Sequence, residues 1–150
     1  MRRLLIVLIL IVAVVGCNNP SDHNVSFGMT MDEVKDAETR GRMLWEDSSS
    51  ITYTDIEFEG LPALLLYYFS DGLLTLFHYS FDLEYANEDN YEHLKSRLID
   101  TYGKPNGEPQ FNQFTILSAT WDLPDKTIIL RLFTNPMTED PSLFIHYEPV

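Results

Sequence analysis

Three carboxylates alternate along one short stretch of the chain, at Asp55, Glu57 and Glu59. Because alternate residues of a strand share a face, we expect these acids on one side of a strand, with Ile56 and Phe58 on the other. Such a row offers oxygen ligands to Ca²⁺ or a pair of carboxyl groups for acid–base chemistry. Ligands on a flat strand diverge, however, so a solvated sheet face is the preferred interpretation, and we assign no metal.

The four histidines, His23, His78, His93 and His146, lack the spacing of a zinc site. His78 and His146 lie on two predicted strands and could meet in the folded chain. Isolated strand histidines are usually structural, so we assign them no metal either. Ser48–Ser50 offers hydroxyl groups but no nucleophile elbow, and glycine-rich phosphate loops are absent from the sequence. We therefore expect neither an enzyme nor a cofactor.

Trp45 is the candidate for contact with a partner. It lies in Gly41–Ser50, which has the composition of an irregular segment, and an exposed aromatic residue there indicates an interaction surface. Trp121 lies on a predicted strand, where aromatic residues are more often buried than exposed, and it is assigned to the core.

The first 17 residues indicate export. Arg2 and Arg3 precede twelve apolar residues, Leu4 to Val15, and Gly16 and Cys17 follow. Twelve helical residues extend about 18 Å, whereas the bilayer core is about 30 Å thick. The run is therefore a signal segment rather than a good membrane span.

The sequence Val14-Val15-Gly16-Cys17 resembles the signal of bacterial lipoproteins, with Val14 where leucine is typical. The resemblance implies that Cys17 receives a diacylglycerol thioether and becomes the first residue of the mature chain. Two or three acyl chains hold a protein on a membrane. Asn18 after the cysteine favours the periplasmic side of the outer membrane in a host with two membranes. In other hosts the expected place is the outer face of the cell membrane.

Composition limits the partners. The chain of 150 residues carries a net charge of −13, and removal of residues 1–16 with their two arginines leaves −15. Phosphate contacts need clustered basic residues, so we expect no nucleic acid partner. Cys17 is the only cysteine, which excludes an internal disulfide. We expect a signal peptide over 1–16, a lipidated tether over 17–26 and one domain over 27–150, as a monomer.

Local signals predict two helices and six strands. Thr30 and Glu33 predict a capping box at the start of the first helix. Asp89 and Glu92 predict a capping box at the start of the second helix, and Gly103 predicts its end. Asp71-Gly72 predicts a type I′ hairpin turn. The predicted strands are Ile51–Glu59, Leu61–Ser70, Leu73–Phe81, Thr115–Asp122, Lys126–Phe133 and Leu143–Glu148. The expected fold is α+β, with two helices packed on one face of an antiparallel sheet in the order α-βββ-α-βββ.

Several phrases in 27–133 resemble a group of small exported bacterial domains without an assigned activity. They are Phe27-Gly28-Met29-Thr30, Leu61-Pro62-Ala63, Tyr102-Gly103-Lys104-Pro105 and Thr120-Trp121-Asp122. The Gly-Met-Thr opening is also similar to the small lipoproteins of the outer-membrane barrel assembly machinery, which act as interaction scaffolds.

Two functions follow from the sequence as hypotheses. The first is a non-enzymatic, lipid-anchored cell-envelope protein acting as a protein-interaction or structural module, with an envelope protein as partner. The alternative is a small-ligand or cation-binding lipoprotein domain. An exposed apolar patch rimmed by charge favours the first, and a closed pocket with converging polar groups favours the second.

Overall fold

The structure, a computed structural model, describes residues 24–107, 115–134, 138 and 140–150. The predicted signal peptide 1–16, Cys17, His23 and most of the predicted tether lie outside the described residues. Among the described residues, no helix has the length and apolar character that a membrane span requires. Val25, which we assigned to the tether, is buried in the core.

The described chain forms an α+β fold with a seven-stranded antiparallel sheet and two α-helices. The strand order in the sheet is β1-β2-β3-β4-β7-β6-β5. The elements are α1 (Met31–Ala37), β1 (Arg42–Glu46), β2 (Ser50–Phe58), β3 (Leu61–Ser70), β4 (Leu73–Phe81), a 3₁₀ turn (Leu83–Tyr85), α2 (Glu88–Tyr102), β5 (Thr115–Asp122), β6 (Lys126–Thr134) and β7 (Pro141–Pro149).

Short-range signals place most of these boundaries. The Thr30 side chain accepts a hydrogen bond from the Glu33 amide, and the Glu33 carboxylate accepts one from the Thr30 amide, so the first capping box is confirmed. Asp71 and Gly72 have φ angles of 52° and 79°, as a type I′ turn requires. Gly103, with a φ angle of 80°, ends α2 as predicted.

Two predictions about the elements are wrong. Four strands, not three, separate the helices, because Arg42–Glu46 pairs with β2 instead of being irregular. The second helix is capped by Asn87, whose side chain accepts a hydrogen bond from the Asn90 amide, and not by Asp89. Asparagine is as good an N-cap as aspartate, so the residue types alone could not decide between Asn87 and Asp89 as the N-cap.

One hydrophobic core joins the helices to the sheet. Val34 of α1 and Tyr91, Leu94 and Leu98 of α2 are buried in the same cluster as alternate strand residues. These strand residues include Ile51, Tyr53, Leu65, Tyr67, Phe77, Tyr79, Ala119, Trp121, Ile128, Leu130, Leu132, Leu143, Ile145 and Tyr147. Trp121 is fully buried, as predicted, and its indole donates a 2.7 Å hydrogen bond to the Gly103 carbonyl at the end of α2.

Candidate functional site

The edge strand β1 exposes three consecutive large apolar side chains. Met43, Leu44 and Trp45 have exposed fractions of 39%, 53% and 61%. We call these three residues the β1 strip. The register pairs Met43 with Tyr53 and Trp45 with Thr52, and a β-bulge leaves Leu44 with no partner on β2. Trp45 is therefore exposed on a strand, whereas we expected it in an irregular segment.

Charged side chains border the strip on the side of α1. Lys35 of α1 contacts Glu46 of β1 at 2.9 Å and Asp32 at 3.0 Å. The hydrogen bond to Glu46, followed by that to Asp32, raises the pKa of Lys35 to about 12. The ammonium group therefore stays charged at every physiological pH, and it connects α1 to the end of β1.

A tight turn follows the same end of β1, after Glu46. Asp47 accepts hydrogen bonds of 2.8 Å from the amides of Ser49 and Ser50, and the Trp45 indole nitrogen lies 3.5 Å from the same carboxylate. The Ser49 amide, then Ser50 and Trp45, lower the pKa of Asp47 to about 2. Ser48 and Ser49 thus lie in the turn between β1 and β2, as their assignment to a loop predicts, whereas Ser50 begins β2.

The three alternating carboxylates do not form one row. A bulge in β2 between Tyr53 and Ile56 breaks the alternation, and Asp55 there has a φ angle of 60°. Asp55 contacts Arg42 at 3.1 Å, while Glu59 lies in the turn after β2 and contacts Arg97 of α2 at 2.7 Å. Glu57 is exposed. In the described part of the chain, no three histidine, cysteine or acidic side chains converge as metal ligands do.

The second candidate region is the sheet face made by the half-buried strand residues, which alternate with the core residues; we call it the outer face. It carries an open groove of about 620 Å³. The groove is lined by Tyr68, Thr75, Leu76, His78, Ser80, Phe133, Ser142, Phe144 and His146. Aromatic rings and hydroxyl groups dominate this lining, and the groove is open to solvent rather than closed.

The structure brings His78 and His146 together, as the sequence allowed. They are direct cross-strand partners of β4 and β7, and their ring centroids lie 6.4 Å apart. Burial, with a smaller contribution from His146, lowers the pKa of His78 to about 4, so this imidazole is neutral at pH 7. His146 also lies 3.4 Å from the carboxylate of Glu148.

The registers link the groove to the β1 strip. Trp45 pairs with Thr52, Thr52 with Leu66, and Leu66 with His78. His78 in turn pairs with His146. Trp45 therefore lies at the end of the cross-strand row that contains the histidine pair.

Sequence reasoning missed a polar cluster centred on Glu38, the C-cap of α1. The buried Glu38 carboxylate accepts hydrogen bonds from Tyr67 at 2.6 Å and from the Arg40 guanidinium at 2.7 Å. Arg40 also donates to the Tyr79 hydroxyl at 3.1 Å. Although burial opposes ionisation, the hydrogen bonds from Arg40 and Tyr67 lower the pKa of Glu38 to about 2.

This cluster has a structural function. It fixes the end of α1 to β3 and β4 through a charged group from which water is excluded. No local signal in the sequence identifies it, because the tyrosines lie 29 and 39 residues away from their partners.

Comparison with known protein families, with curated proteins and with solved structures found no match for this chain.

Proposed function

We propose that this chain is a non-enzymatic, lipid-anchored cell-envelope protein that binds another envelope protein through the β1 strip. The strip is the observation that carries the proposal. Soluble surfaces rarely keep large apolar side chains side by side, and burying them releases about 25 cal/mol per Å² of apolar surface. Met43, Leu44 and Trp45 are exposed, and charged side chains flank them at both ends, Arg42 paired with Asp55 on one side and Glu46 paired with Lys35 on the other.

The membrane address rests on the sequence. The basic head, the short apolar run and Val14-Val15-Gly16-Cys17 support an exported chain with acyl groups on Cys17. We place it on the periplasmic side of the outer membrane, or on the outer face of the cell membrane in a host with one membrane. The short polar stretch after Cys17 would keep the domain, and so its partner, close to that membrane.

The arrangement of the helices belongs to the same proposal. We infer that α1 and α2 cover one face of the sheet and leave the outer face to solvent. The buried side chains of both helices share one cluster with the same alternate strand residues, which supports this arrangement. The bonds from Glu38 to Tyr67 and from Trp121 to Gly103 support it too, because Tyr67 and Trp121 belong to those residues.

Photo-crosslinking in living cells tests the interaction. A photoreactive amino acid in place of Trp45 in the full chain should give a discrete adduct with one envelope protein. The matched control carries the same amino acid in place of Leu83, which is 57% exposed and lies in the 3₁₀ turn away from β1. A Trp45 variant that gives no adduct, or the same adducts as the Leu83 variant, would contradict the proposal.

A second candidate function is binding of a small apolar ligand in the outer-face groove. The aromatic lining and the neutral His78 favour it, and they favour an uncharged organic ligand over a cation. A neutral solvatochromic dye should then bind the full chain, and Leu76→Lys should abolish binding while Leu83→Lys leaves it unchanged. Equal dye binding by both variants would exclude the groove.

A further inference from the structure

We propose that the partner adds an extended segment to the free edge of β1 as an eighth strand, and that this segment alternates apolar and basic side chains. The inference rests on the proposed function and deepens it by stating how the partner binds and what chemistry it presents.

The backbone supports strand addition. β1 lies at one end of the sheet order, so half of its N–H and C=O groups point away from β2. At the opposite end, the outer edge of β5 is partly covered: the amides of Asn106 and Gly107 donate to the Thr120 carbonyl, the Thr120 amide donates to the Gly107 carbonyl, and the Asp122 amide donates to the Asn106 side chain. Among the described residues, no such backbone contact covers the outer edge of β1, so we take this edge as the place where a further strand adds.

The side chains add to this. Natural edge strands are usually protected by charges, prolines or brevity. The five-residue β1 has a charge at each end, Arg42 and Glu46, but its three central residues are apolar and exposed. Leu44, which the bulge leaves without a partner on β2, is open to a side chain from a new strand. An added strand would therefore bury apolar surface as well as form hydrogen bonds.

Charge selects the kind of partner. Five exposed acids lie near β1, namely Asp32, Glu46, Asp47, Asp55 and Glu57. Lys35 pairs with Asp32 and Glu46, and Arg42 pairs with Asp55, so five negative charges face two positive ones and a local excess of three negative charges remains. The whole chain carries −13. A second copy of the chain would be repelled by this field, and a segment with basic side chains would be attracted to it.

The test uses the full chain in detergent micelles and three synthetic peptides of about ten residues, the length of a long natural strand. One alternates valine and lysine, one alternates valine and glutamate, and one is the valine–lysine peptide N-methylated at every residue. Binding is followed by tryptophan emission, with Trp45→Phe as the blank, and by amide hydrogen exchange of residues 42–46. The valine–lysine peptide should shift the emission and slow this exchange by about tenfold or more, and it should bind less tightly as salt is raised.

The other outcomes overturn the inference. Equal binding of the valine–glutamate peptide would contradict the charge argument. Equal binding of the N-methylated peptide would show docking by side chains alone. If the full chain associates with itself and this slows amide hydrogen exchange at residues 42–46, a second copy of the chain, and not a basic segment, is what binds the edge of β1. If no peptide binds but the Trp45 crosslink in cells persists, strand addition is wrong and the proposed function stands. If the Trp45 crosslink is absent in cells, the proposed function itself is contradicted.

Discussion

Glu38 is an ionised carboxylate without solvent access to its side chain, held by Arg40 and Tyr67. Replacing it with glutamine keeps the shape but leaves the guanidinium without its counter-charge. We expect Glu38→Gln to lower the free energy of unfolding at pH 7 by about 2 kcal/mol. Glu57→Gln, at an exposed position of β2, is the matched control and should change it by less than about 0.5 kcal/mol. Urea unfolding of both variants measures the difference.

The same residue predicts a pH dependence. The pKa of Glu38 is about 2 in the folded chain and near the ordinary value of 4.5 when unfolded. The unfolded chain therefore takes up a proton first on acidification, and the stabilisation is full above about pH 4.5 and lost as the pH falls towards 2. The loss of stability over this window should be smaller in Glu38→Gln than in the native chain. Equal slopes would show that Glu38 has an ordinary pKa.

Residue types alone assigned Trp121 to the core, because aromatic residues on a strand are usually buried, and they made Trp45 the candidate partner contact, because Gly41–Ser50 has the composition of an irregular segment. They did not reveal that Asp55 and Glu59 each bind an arginine, since both arginines come from other elements. The alternation rule failed for these acids because a bulge interrupts β2, and a bulge depends on cross-strand pairing.

At the scale of elements, β1 depends on a close approach at Gly41. A β-carbon there would lie 2.5 Å from the Thr54 carbonyl oxygen and 2.5 Å from the Ile56 side chain. We expect Gly41→Ala to displace the start of β1 from β2 and to raise amide hydrogen exchange of 42–46 by about tenfold, with a loss of about 1–3 kcal/mol of stability.

Gly107→Ala is the matched control for that substitution. Its β-carbon would meet the Thr120 side chain at an ordinary distance of 3.9 Å. Exchange of 42–46 should therefore remain unchanged in this variant. If Gly41→Ala also leaves the exchange unchanged, the close approach of Gly41 to β2 does not hold β1 in place.

Structure that depends on neighbouring residues was predictable from the sequence. Examples are the helix cap at Thr30, the turn at Asp71-Gly72 and the helix end at Gly103. β1 was not predictable, because Arg-Met-Leu-Trp-Glu shows no clean alternation and becomes a strand only through pairing with β2. The candidate site on this strand was therefore predicted only in part: Trp45 was identified as a candidate, but Met43 and Leu44 were not.

At the scale of the whole molecule, membrane attachment depends on Cys17, which lies outside the described residues. We expect Cys17→Ser to abolish incorporation of labelled fatty acid and to move the protein out of the membrane fraction, because the acyl chains supply the membrane affinity. Asn18→Ser, next to the cysteine, should retain the label. A Cys17→Ser protein that still fractionates with membranes would contradict the lipid anchor.

The most direct test of the central claim compares thiol accessibility of the β1 strip in cells and after purification. Leu44→Cys and Leu83→Cys place a thiol at sites of similar exposure, 53% and 57%, and a membrane-permeant maleimide reports the rate at each. If a partner covers β1, Leu44→Cys reacts about tenfold more slowly in cells than when purified, while Leu83→Cys reacts at the same rate in both. Equal rates for Leu44→Cys in cells and in the purified protein would contradict the account.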